Sequence, residues 1–235
     1  MVALDTCISF ICGDDRQIYL ANLFSENGYK TFTFGISSPL LSPNCNKCNH
    51  LREAIKSSSI IIFPYRIDCL SLSELEDIIP LLTNKTVFGG CIPISLKNTF
   101  NNNHIQFYDY FKVNYVNKLN AIATAEGSIY YAIGNSNINL HNNNSLVIGY
   151  GNCGSVLAHK LHSLGSNVTV ACRNPYACAC AFTNSLKYVD IINLSNVIYD
   201  YPFVFNTVPA LILDRQVLSK INKNSVIIDI ASSPF

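Results

Sequence analysis

Short apolar runs alternate along the chain with segments in which apolar residues recur every three or four positions. In the first half the runs cover residues 5–12, 31–34, 59–63, 86–88 and 105–108; in the second, 146–148, 167–172, 188–192, 203–206 and 225–230. A run that is apolar throughout, such as 59–63 ahead of Pro64, predicts a parallel strand buried on both faces. The intervening segments 16–26 (closed by Gly28), 51–56, 71–82, 116–133, the stretch up to Leu164, 176–185 and 214–221 predict helices. Strands and helices in alternation build parallel sheets covered by helices. The rhythm restarts after an asparagine-rich tract at 98–104, read as a loop, and a second polar tract covers 135–144. The expected fold class is α/β, with two doubly wound parallel-sheet (Rossmann-like) domains. Residues 1–117 are the expected substrate domain, and residues 118–235 the linking helix and a dinucleotide-binding domain, with a cleft between the two.

Composition narrows the class. A chain of 235 residues, 49% hydrophobic and 13% charged, is globular rather than disordered. A net charge of +1 without a basic block argues against nucleic acid or a membrane surface as partner. No apolar segment approaches the length that spans a bilayer, and the opening run lacks the basic leader of a signal peptide. The ten cysteines are therefore expected to be reduced thiols, packed as small hydrophobes in a cytoplasmic protein. Cys45-Asn-Lys-Cys48-Asn-His50 has a zinc-like spacing but no second ligand pair, so no metal is expected.

The chemistry centres on Ser145-Leu-Val-Ile-Gly-Tyr-Gly-Asn-Cys-Gly154. Gly149 permits a tight turn after a strand, Gly151 lets the backbone approach a pyrophosphate, and Gly154 lets helix and strand pack closely. The helix start then offers free N–H groups and its positive dipole end to phosphates. A glycine pattern alone is weak evidence; the strand–helix–strand unit around it carries the reading. Gly149, Tyr150, Gly151, Asn152, Cys153 and Gly154 are thus the candidate phosphate loop. An acid ending the second strand would grip the ribose of NAD, but this strand ends Ala171-Cys-Arg-Asn174. Arg173 is suited to a 2′-phosphate, so NADP is expected ahead of NAD, with Arg173 and Asn174 at the ribose.

Five stretches in order resemble the A subunit of bacterial dipicolinate synthase, an enzyme of spore formation. They are Gly13-Asp-Asp-Arg-Gln17, Ala123-Thr-Ala-Glu-Gly127, the glycine loop, Phe205-Asn-Thr-Val-Pro209 and Ile228-Asp-Ile-Ala-Ser-Ser-Pro234. The resemblance implies NAD(P)-dependent oxidation of a dihydrodipicolinate to pyridine-2,6-dicarboxylate, on the two-domain scaffold of the D-2-hydroxyacid dehydrogenases. It also implies a partner, a flavoprotein-like B subunit; a homo-oligomer is compatible with the scaffold. The chain departs from the family at Ala123, where proline is frequent, and at Pro64-Tyr-Arg66. It also ends at Phe235, where the family continues with a glycine pair. A doubly wound domain usually has one strand beyond 225–230, so the chain is expected to be cut short, poorly stable and nearly inactive alone.

Oxidising a dihydropyridine gains aromaticity, so the protein must mainly hold two carboxylates and accept one proton. Arg16, between a first strand and its helix, is a candidate carboxylate clamp, with Gln17 as a further donor; the alternative is that Asp14 or Asp15 caps the helix beside a solvated Arg16. Glu126 is the candidate proton acceptor and Thr124 a candidate substrate contact. Asn206, Thr207, Val208 and Pro209 are expected along the nicotinamide ribose, and Ala231 and Ser232 near the carboxamide.

Overall fold

The computed structural model describes residues 6–67 and 69–231, leaving aside the side chain of residue 114. The chain divides into two compact units, residues 1–114 and 115–235.

In the first unit the order is β1 (Cys7–Ile11), α1 (Asp15–Glu26), β2 (Lys30–Phe34), β3 (Asn46–Lys47), α2 (Leu51–Lys56), β4 (Ile60–Ile62), α3 (Leu72–Ile78), β5 (Thr86–Gly89), α4 (Ile94–Asn102) and β6 (Gln106–Asp109). The strands pair in parallel in the order β3-β2-β1-β4-β5-β6. Growth of the sheet reverses between β1 and β4, and in open sheets ligands bind outside the strand ends at such a point. Neighbouring residues of β1 serve different cores: Phe10 packs with Ile18 and Ala21, Ile11 with Ile55 and Phe63. That is the period-two alternation of a strand covered on both faces.

Two expected elements differ. The tract 98–104 is not a loop: most of it belongs to α4, because Leu96 and Phe100, four apart, are buried against the sheet. Burial of that pair overrides the low helix propensity of the asparagines between and after them. The helix expected over 71–82 stops as α3 at Ile78, and Ile79–Leu81, with Pro80 inside it, tightens into a 3-10 turn.

The second unit runs α5 (Asn114–Gly134), β7 (Asn144–Ile148), α6 (Asn152–Ser163), β8 (Asn167–Cys172), α7 (Pro175–Thr183), β9 (Lys187–Asp190), α8 (Leu194–Val197), β10 (Phe203–Asn206), α9 (Arg215–Leu218) and β11 (Val226–Asp229). Its parallel order is β11-β10-β7-β8-β9, so the reversal falls between β7 and β10. Val147 joins Phe203 and Phe205 in one core under α5 and α6, while Leu146, Ile148 and Val204 fill the opposite one with Leu194 and Ile198. Both units are thus doubly wound parallel-sheet domains. Among the described residues no helix is long and apolar enough to cross a membrane.

Candidate functional site

The strand-end loops of the second unit converge where its sheet reverses. Gly149, after β7, has φ +95°, and a Cβ there would stand 2.7 Å from Thr207 Oγ1 and from Val208 Cγ2. A Cβ on Gly154 would collide with the Gly149 carbonyl oxygen, so α6 starts hard against the end of β7. At Gly151 a Cβ would meet no atom within 4 Å. Gly151 caps α6 and no side chain accepts from the helix-start N–H groups, so these lie open to an anion. Lys118 of α5 donates to Ser155 Oγ in the first turn of α6, adding a cation that periodicity did not single out. Tyr150 is anchored by its hydroxyl to His159 Nε2 at 3.1 Å, and burial raises its phenol above the ordinary range. Burial likewise raises the Cys153 thiol, with Lys118 pulling the other way.

A cavity of about 370 Å³ opens beside this loop. Gly149 and Gly151 form one side, Arg173 and Asn174 the other, and Ile191, Val208 and Ile212 give an apolar wall. Among the described residues no acid lines it. Asn174 Oδ1 caps α7 through Tyr176 N at 2.8 Å, whereas Arg173 makes no ion pair among the described residues. The acid at the neighbouring strand end, Asp190, accepts from Ile192 N at 3.0 Å. A dinucleotide fits what is present: open helix N–H groups, an apolar slot, and an arginine where the second strand ends.

Cys172, ending β8, and Cys178, on α7, form a disulfide, with Cα atoms 6.0 Å apart. This corrects the expectation that every cysteine is a free thiol: the strand end and the first turns of the next helix converge within bridging distance.

Several expected ligand-binding side chains are engaged elsewhere. Asn206 is 3% exposed; its Nδ2 donates to both Asp229 oxygens at 3.2 Å, and its Oδ1 accepts from Val208 N at 3.2 Å. It therefore braces β10 against β11, in place of the expected contact with cofactor. Asp229 also accepts from Ala231 N at 2.9 Å, making it an organiser of this edge that no sequence pattern singles out. Thr207 donates to Ile148 O at 2.9 Å and shapes the glycine loop; Pro209 is exposed beyond it. Ser232 lies outside the described residues.

Glu126 does not stand at the phosphate end. Its carboxylate, 62% exposed, accepts from Lys160 Nζ at 2.7 Å. Glu126 is two turns along α5 from Lys118, roughly 12 Å at helical rise, and through Lys160 it ties α5 to α6. Thr124 donates to Asn120 O at 3.3 Å and lines a separate groove of about 730 Å³ beside β11. That groove is larger than the cavity at the glycine loop, but none of its described lining residues is a cation, so it does not answer to phosphate.

In the first unit Asp14 caps α1 through Arg16 N at 3.1 Å and grips the Arg16 guanidinium, with Nη2 2.6 Å from Oδ2. The Arg16 hydrogen bonds hold the Asp14 carboxyl below the usual carboxylate range. Gln17, expected as a substrate donor, is 5% exposed and donates through Nε2 to Ile62 O at 2.8 Å, which ties α1 to β4. Tyr110, after β6, is pushed by burial up to about 12, against the pull of Arg16. Among the described residues no three His, Cys, Asp or Glu side chains gather as metal ligands.

Two reversing parallel sheets of this kind form a fold that solved two-domain proteins share. The transhydrogenase of Sinorhizobium meliloti superimposes with a TM-score of 0.67 over 96% of this chain and 78% of its own, at 13% identity. Residues 7–111 match the family model of the N-terminal domain of the dipicolinate synthase A subunit. The A subunit of Bacillus subtilis dipicolinate synthase is 32% identical over 115 residues, which span 49% of this chain and only 39% of that relative's length. The crystal structure of the corresponding A subunit from Bacillus halodurans covers all of this chain and 84% of its own, with a TM-score of 0.86 at 23% identity. The first unit is thus similar in sequence to the N-terminal domain of that A subunit, and the whole chain shares its fold.

Proposed function

We propose that the chain is a nicotinamide-dinucleotide oxidoreductase subunit that oxidises dihydrodipicolinate to dipicolinate during sporulation, in the cytoplasm, with NADP preferred and with a partner, a flavoprotein-like B subunit. The observation that carries this reading is the open start of α6 beside a cavity whose ribose end holds Arg173 and no acid among the described residues. A bound oxidised nicotinamide would supply the hydride acceptor for this oxidation. The chain's own work is orientation. The N–H groups of Asn152 and Cys153 and the Lys118 ammonium hold the pyrophosphate, and Arg173 pairs with the 2′-phosphate. Val208 and Ile212 exclude water from the adenine, while the Asn206–Asp229 brace fixes the turn at Thr207. Because the product ring is aromatic, the proton released needs only solvent as acceptor.

The test is a calorimetric titration of NADP and NAD into the full chain and into Arg173→Ala. NADP should bind wild type more tightly, and the substitution should cost NADP about tenfold or more while leaving NAD nearly unchanged. Tighter NAD binding to wild type, or NADP affinity unmoved by the substitution, would reject the assignment of Arg173.

A further inference from the structure

The first unit has its own reversal point, between β1 and β4, and a crevice of about 350 Å³ lies there. The loop after β1 contributes Gly13 and Asp14, the first turn of α1 contributes Arg16, and the loop after β4 contributes Tyr65, Arg66 and Cys69. Two guanidinium groups flank one ring: Arg16 Cζ is 5.3 Å and Arg66 Cζ 5.9 Å from the Tyr65 centroid. Cation–π attraction to that ring offsets part of the repulsion between the two cations. Tyr65 is itself wedged against Phe111, with centroids 4.4 Å apart, and its hydroxyl lies by Cys91 and Arg66.

Charge is unbalanced here. Asp14 takes the Nε and Nη2 edge of Arg16, leaving Nη1 without a hydrogen bond among the described residues. Arg66 makes no ion pair among the described residues and is exposed. Among the described residues one carboxylate thus answers two guanidinium groups, and the unmatched donors are the forked kind that binds carboxylate in two parallel bonds. Tyr110, whose phenol feels the Arg16 charge, adds a hydroxyl nearby that stays protonated at neutral pH.

We propose that this crevice is a recognition site for a small planar dicarboxylate. Arg66 takes one carboxylate as a bidentate fork, and the free edge of Arg16 takes the other. Asp14 holds the Arg16 fork in place, and Tyr65 spaces the two cations. Arg66 is the specificity-determining residue, since Arg16 alone is already half-satisfied by Asp14. The anion site stands on this geometry; that the anion is a pyridine dicarboxylate rests on the function proposed above.

The test is calorimetry on the full chain in metal-free buffer without nucleotide, using pyridine-2,6-dicarboxylate and pyridine-2-carboxylate as probes. Wild type should bind the dicarboxylate at least tenfold more tightly than the monocarboxylate. Arg66→Gln should weaken the dicarboxylate tenfold or more and erase that preference, and Arg66→Lys should recover only part of it, because an ammonium lacks the fork. Arg52→Gln, which removes a cation on α2, should leave the affinity unchanged. NADP titrated into Arg66→Gln should bind as to wild type, which shows the variant folded. Dicarboxylate binding that is absent in wild type, equal for both probes, or within twofold of wild type in Arg66→Gln overturns the proposal. Dicarboxylate binding through Arg66 in a chain that fails to bind NADP would support this site while sinking the dehydrogenase reading.

Discussion

At the scale of single residues, the polar side chains divide into those spent on the fold and those left open. Gln17 and Asn206 read as ligand contacts along the sequence, yet both are buried, Gln17 bonded from α1 to β4 and Asn206 from β10 to β11. A sequence shows that a side chain can donate; it does not show which carbonyl has already accepted. Glu126 illustrates the same point at the surface. An exposed pair with Lys160 contributes only about 0–1 kcal/mol, so Glu126→Gln should lower stability by no more than that and leave the pH profile of turnover unmoved. A profile that loses its acidic limb would return Glu126 to the role of proton acceptor. Tyr110 gives a second prediction. Burial raises its phenol from 10.0 to about 12, so the neutral form is favoured by folding. That stabilisation is complete below the unfolded value and is lost as pH climbs through the folded one. Between pH 10 and 12 the melting temperature of wild type should therefore fall faster than that of Tyr110→Phe; parallel slopes would contradict the assignment.

At the scale of elements, the glycine loop is a packing solution as much as a ligand site. Gly154 meets the Gly149 carbonyl, and Gly149 meets Thr207 and Val208. Gly154→Ala must push α6 away from β7, at a cost of about 1–3 kcal/mol, and should weaken NADP by shifting the helix start. A variant as stable as wild type with unchanged affinity would show that the contact is slack. Strands were legible because buried parallel strands are apolar throughout; the exception, β3, has two residues, both exposed, and no apolar signature. α4 was hidden because its asparagines mask two apolar anchors. The Cys172–Cys178 disulfide could not be read from ten scattered cysteines, since pairing depends on where the end of β8 meets α7. The strand-end positions of Arg173 and the glycine loop were legible because the apolar runs stop just before them. Lys118, Asp229 and the Tyr65–Arg66 pair come into view only when the elements are assembled.

At the scale of the whole molecule, each unit has an open site of its own where its sheet reverses. In the second it is a cavity between the start of α6 and Arg173; in the first it is a crevice with two arginines around a tyrosine. The reaction proposed above would draw on both. The most direct measurement is nicotinamide reduction by the full chain together with the B subunit, followed by absorbance, when dihydrodipicolinate is supplied with NADP or with NAD. The account predicts reduced nucleotide formed one for one with dipicolinate, faster with NADP, and slowed by Arg173→Ala with NADP alone. No nucleotide reduction with either cofactor, in a preparation that binds NADP, would contradict it.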